Sequence, residues 1–183
     1  TVPSWTGEML PRSFDLSMEI ARFRGEMEAR LGEPEQEIIS WLMDNFSIDH
    51  GSALSLLHYF QEQRAAAGVP NQRRLLVEGY VDRQGNSGLI FHFPFGRRVN
   101  DALSRTYAFL LTQRLGCNVS ISISDDAFLL VAPRRMDLGL LPGLVRSGEM
   151  RGILRRAVKD SEIFKQRFRH VAARSFMILR NYK

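Results

Sequence analysis

The chain has 183 residues, 44% of them hydrophobic, a formal net charge of +5 and a single cysteine, Cys117. That length supports one domain with a sizeable core or two small ones, and no apolar run approaches the roughly 18 residues of a membrane span. One cysteine excludes an internal disulfide and a cysteine-rich zinc site and fits a reducing, cytoplasmic compartment; His50, His58, His92 and His170 lack metal-ligand spacing and read as structural.

The chain opens at Thr1 and shows no basic segment leading into an apolar signal region, so nothing in it suggests export, and it reads like a piece of something longer. In V-P-S-W-T-G-E-M-L-P-R-S, Trp5 stands between Pro3 and Pro11 with no apolar periodicity around it, in a loop. Ser13 can cap a helix from about Phe14, with Leu16, Ile20, Phe23, Met27 and Leu31 at three- and four-residue steps and Gly32 at its end. Pro34 opens a second helix with an apolar face of Ile38, Ile39, Trp41, Leu42 and Phe46, which makes Trp41 a core residue. A third helix runs from Asp49 to Ala67 through Leu54, Leu57 and Phe60 and stops at Gly68.

Period two then takes over. R-R-L-L-V-E-G-Y-V and S-G-L-I-F-H-F-P-F read as strands joined by a tight turn in D-R-Q-G-N, and C-N-V-S-I-S-I-S-D-D-A-F-L-L-V-A-P as a second hairpin turning at Ser124 to Asp126. Between them lies a helix from Arg97 to Leu115, packed through Val99, Leu103, Tyr107, Leu110 and Leu111. Residues 134–148 are broken by Gly and Pro and read as a loop pinned by leucines; helices resume near Glu149, and Asp160 or Ser161 caps a last helix to about Arg180 with Phe164, Phe168, Val171, Ser175 and Ile178 on its apolar face. The order predicts an α+β fold, a mainly antiparallel sheet of two hairpins packed with helices and preceded by a three-helix segment. Residues 1–68 form the helical segment with the tryptophan loop and residues 69–183 the α+β segment with basic carboxy-terminal helices, together one domain.

Charge is polarised along this plan. Residues 1–68 hold 5 Arg and no Lys against 11 acidic side chains, net −6, whereas residues 69–183 hold 20 basic against 9 acidic, net +11. Of the 25 basic residues 22 are Arg, whose planar fork pairs with phosphate and stacks on bases, so a nucleic-acid backbone is the first partner to consider.

Catalytic signatures are missing from the sequence: there is no G-x-x-x-x-G-K-[ST], no G-x-S-x-G, no kinase set and no Cys-His pairing. Asp125 and Asp126 are adjacent, but neighbouring strand residues face opposite ways and Asp is favoured in turns, so they read as turn residues. In G-R-R-V-N-D-A-L-S-R, Arg97 and Arg98 fall on the first turn of a helix, where the macrodipole disfavours cations by up to about 1 kcal/mol. Two readings are open: an anion cradled by the free amides behind Gly96 and by both guanidinia, or an ion-pair series Arg98, Asp101, Arg105, which leaves Arg97 over. In the last helix Arg167, His170 and Arg174 line one edge of the apolar stripe, with Lys165 and Arg169 on the other. They face a nucleic acid, solvent or the carboxylates of a neighbouring domain.

Four motifs in order, P-S-W-T-G-E with R-S-F-D-L, L-L-x-Y-F-x-E-Q-R-x-x-x-G, F-x-F-P-F-G-R-R-V-N-D-A-L and F-K-Q-R-F-R-H-V-A-A-R-S-F-M-I-L-R, resemble the DEAD/H-associated domain that follows the helicase core in large helicase-related (Lhr) proteins. The resemblance covers nearly the whole chain and is weakest over residues 134–148. It implies a part of a superfamily 2, ATP-driven, 3′-to-5′ DNA or RNA:DNA helicase associated with DNA repair, with two RecA-like motors and a winged helix in the same polypeptide. ATP and magnesium would then belong to the motors, with no cofactor in this chain. It further implies that Trp5 packs on a base of the tracking strand, the alternative being that Trp5 plugs the sheet edge; with the arginines read above, the expectation is that Arg97, Arg98, Arg167 and Arg174 also contact single-stranded DNA or an RNA:DNA hybrid. The competing implication is a structural brace that docks on the motor and winged-helix domains without touching DNA.

Overall fold

The computed structural model describes residues 10–159 and 161–178. In chain order they form α1 (Phe14–Arg30), α2 (Glu35–Phe46), α3 (His50–Ala66), β1 (Leu76–Val81), β2 (Ser87–His92), α4 (Arg97–Leu115), β3 (Ser120–Ile123), β4 (Phe128–Ala132), a single 3-10 turn at Leu138–Leu140, α5 (Ser147–Lys159) and α6 (Glu162–Arg174). The strands make one four-stranded antiparallel sheet in the order β1-β2-β4-β3. The predicted α+β class with three leading helices is what the structure shows. Burial follows the order: inner β4 buries Phe128, Leu130 and Ala132 in strict alternation, while none of the four residues of edge strand β3 is fully buried.

Two compact units divide the chain. The first holds the described residues up to Glu78 with Leu89–Asp101 and Ser122–Leu129; the second holds Gly79–Gly88, Ala102–Ile121 and the described residues from Leu130 on.

In the first unit, α1 and α3 begin at residues whose side chains cap them, whereas α2 begins at Pro34 without a side-chain cap. Ser13 Oγ accepts from the Leu16 amide at 3.2 Å and Asp49 Oδ1 from the Ser52 amide at 2.9 Å, satisfying amides that the first helical turn leaves open. Met27, Ile38, Ile39, Leu42, Ala53, Leu57, Phe60 and Val69 form the helical core, each large side chain stabilising by roughly 1.5–3 kcal/mol on burial. Trp41, expected in the core, is only half-buried and packs against it from outside, edge-on to Phe46 at 5.4 Å and beneath the Arg30 guanidinium at 4.5 Å. One departure lies in α1, whose first half buries Ser17 and Ala21 while Leu16 stays 54% exposed. The cause is a close approach: a Cβ on Gly96 would sit 2.8 Å from Ser17 Oγ and 3.2 Å from the Arg12 carbonyl, so only small groups fit there. Phe91, Phe93 and Phe128 add an aromatic cluster, with Phe91 stacked on Phe128 at 4.4 Å.

In the second unit, the Asp82 carboxylate accepts from the Gln84 and Asn86 amides, and Gly85 takes φ +84°, closing the predicted turn between β1 and β2. Leu111, Val119, Leu130, Ala132, Met136 and Ile153 are buried, and the Arg134 guanidinium donates to the Leu115 carbonyl at 2.7 Å, placing a cation at the negative end of α4. The last helix ends at Arg174, short of the predicted Arg180. Phe176 adopts φ +57°, its amide turns back to the Ala173 carbonyl and the Met177 amide to that of Ala172 at 2.9 Å, the paired bonds of a Schellman stop. Ser161, not Asp160, is the cap seen for this helix; Asp160 lies outside the described residues.

Candidate nucleic-acid interface

The start of α4 is built by the turn between β3 and β4. Gly96, at φ +83°, donates its amide to the Asp125 carbonyl at 2.9 Å, and the Asp125 carboxylate accepts from the Arg97 amide at 3.0 Å and the Arg12 amide at 3.2 Å. Asn100, fully buried, sends its amide nitrogen to the carbonyls of Phe93, Ser124 and Asp125 at 2.8, 3.2 and 3.2 Å. Asp126 pairs with Arg12 at 2.8 Å and faces Arg24 at 3.7 Å. The adjacent aspartates thus have structural tasks.

This geometry changes the sequence-level picture of an open amide cradle at the start of α4. The Arg97 amide is already taken by Asp125, and the charge needed to offset two arginines on a positive helix end comes from that carboxylate. The guanidinia of Arg97 and Arg98 are exposed and form no ion pair or hydrogen bond with a described residue. They project from a backbone fixed at several points, as a pre-positioned pair of cations should.

Burial on α4 also departs from the prediction. Asn100, Ser104 and Thr106 are fully buried, while Val99, Leu103, Tyr107 and Leu110 are only half-buried. A search for apolar periodicity passes over such a face, because its worth lies in hydrogen bonds such as that from Thr106 Oγ1 to the Ala102 carbonyl at 2.8 Å.

In the second unit, α6 carries two basic flanks of different kinds. Lys165 is paired with Glu162 at 2.7 Å, and this hydrogen bond, helped by the charges of Lys165 and Arg169, holds the Glu162 carboxyl below its ordinary range. On the other flank Arg167 and Arg174 are exposed and unpaired among the described residues. Sequence reasoning missed the row Arg151, Arg155, Lys159 on α5, three exposed cations at four-residue spacing that was visible in R-G-I-L-R-R-A-V-K. Trp5 lies outside the described residues. Among the described residues no group of His, Cys, Asp and Glu is placed to hold a metal, and no helix is long and apolar enough to cross a membrane.

The model of the DEAD/H associated family matches residues 69–183, the segment containing both arginine pairs, and the chain belongs to that family. Its relatives are helicases of the Lhr type. It is 41% identical over 184 residues to ATP-dependent helicase Lhr-Core protein 2 of Thermococcus barophilus, with 100% of this chain and 21% of that protein covered. To ATP-dependent helicase Lhr-Core of Methanothermobacter thermautotrophicus it is 41% identical over 187 residues, 100% and 22% covered. The solved structure of Mycobacterium smegmatis helicase Lhr bound to ssDNA and AMP-PNP superposes with a TM-score of 0.75 at 28% identity, covering 100% of this chain and 23% of that one. The chain therefore spans about a fifth of the length of these curated relatives.

Proposed function

We propose that this domain is a nucleic-acid-binding accessory part of an Lhr-type, ATP-dependent 3′-to-5′ helicase that grips the tracking single strand, of DNA or of an RNA:DNA hybrid. The observation that carries the reading is Arg97 and Arg98, exposed and unpaired among the described residues, on a helix start whose amide is closed by Asp125. The single-stranded DNA in the solved M. smegmatis relative supports it. Arg167 and Arg174 supply further phosphate contacts and Trp5 a stacking surface for a base. No P-loop motif occurs in the sequence, so ATP and magnesium act in the motor portion of such a polypeptide, beside the winged helix.

A labelled oligothymidylate titrated across a salt series tests this. Each lost phosphate contact lowers the slope of log K against log salt by about 0.7 for a single strand. Arg97→Ala and Arg98→Ala should each do so; slopes equal to wild type would overturn the assignment. A second reading, a brace that docks on motor and winged-helix domains without DNA contact, is favoured by Phe168 and Val171, exposed at 55% and 64% on α6.

A further inference from the structure

The second unit contains a groove of about 690 Å³ along α5 that reaches Phe164 at the start of α6. Its floor is Met150, Leu154, Val158 and Phe164. The first three stand four residues apart, a single row on α5. A different side of α5 carries the packing, since Ile153 is buried and Arg156 lies over the Phe109 ring at 5.8 Å. The floor continues onto α6, where the Phe168 ring stacks on Phe164 at 6.3 Å.

Arg151, Arg155 and Lys159 form one wall, again at four-residue steps, or about 6 Å of helix rise each. All three are exposed and none is ion-paired with a described residue. From Leu130 to the end the chain has 13 Lys and Arg against 4 Asp and Glu, so this part of the sequence offers few carboxylates of its own to that wall.

We propose that this groove is a docking site for an acidic amphipathic protein helix. An apolar row on the incoming helix fills the trough over Met150, Leu154, Val158 and Phe164, and carboxylates one turn apart on its flank meet Arg151, Arg155 and Lys159. Two features select a helix over a nucleic-acid strand. The floor is mainly aliphatic, where a stacking platform presents flat aromatic faces, and both floor and wall repeat at the helical step. The proposal stands apart from the nucleic-acid reading, which uses other residues.

The test uses the whole chain and two designed labelled peptides of about five helical turns, with the same leucine row and either Glu or Lys on the flank. The Glu peptide should bind saturably and the Lys peptide should not. Leu154→Glu should abolish binding, and Arg151→Glu with Arg155→Glu should weaken the Glu peptide by at least about tenfold while admitting the Lys peptide. That exposed charge swap decides the matter even if Leu154→Glu fails to fold. Equal binding of the two peptides, no saturable binding of the Glu peptide, or displacement of the Glu peptide by oligothymidylate from the wild-type groove would each overturn the proposal.

Discussion

Asp125 Oδ1 lies 3.0 Å from the Arg97 amide and 3.2 Å from the Arg12 amide, so one carboxylate in a hairpin turn closes α4 and anchors the segment entering α1. Asp125→Ala opens both donors and removes the negative charge at the helix start. It should cost about 1–2 kcal/mol, a drop of roughly 2–8 °C in melting temperature for a chain of this size. Asp125→Asn, which keeps an acceptor and loses the charge, should fall between. Thermal denaturation by circular dichroism reads both.

Gly96 combines φ +83° with a Cβ position 2.8 Å from Ser17 Oγ. Gly96→Ala should therefore destabilise by roughly 1–3 kcal/mol. Adding Ser17→Ala should recover only a part, because the dihedral and the Arg12 carbonyl at 3.2 Å remain. Gly32→Ala, with nothing within 4 Å of its Cβ, is the neutral control. Urea midpoints of the four proteins would settle the ordering.

The Asp49 carboxyl is held below its ordinary value of 3.8, first by the Ser52 amide and then by the Ser52 hydroxyl. A carboxyl depressed in the folded state contributes stability above its unfolded value, and that contribution fades as pH falls through the lower folded one. Asp49→Asn still caps the helix but cannot titrate. Its melting temperature should fall less steeply than that of wild type on acidification from about pH 5 to pH 2.

Trp5 and the arginines should separate by salt. Stacking on a base is worth roughly 1–3 kcal/mol and is neutral in charge, so Trp5→Ala should weaken oligothymidylate binding about tenfold or more while leaving the salt slope near that of wild type. A slope reduced as in Arg97→Ala would assign Trp5 to holding the fold instead.

What could be read from the sequence was what neighbours decide. Ser13, Asp49 and Ser161 each sit three residues ahead of the amide they cap, and Asp82 bonds within its own turn. The bounds of α4 followed from Gly96 and the period of its apolar side chains. Asp125 escaped because its partners lie 28 and 113 residues away, a pairing that only the folded sheet creates. The end of α6 escaped because Phe176 adopts a left-handed conformation that favours glycine. Arg97 and Arg98 were legible as exposed cations on a helix start, but not the carboxylate that makes their position tolerable.

Asn100 has two amide hydrogens and three carbonyls in reach, one just past the end of β2 and two from consecutive residues of a hairpin bend. Hairpin tip and helix start are thereby geared together: whatever nudges the tip drags the two guanidinia along, and whatever pulls on the guanidinia loads the tip.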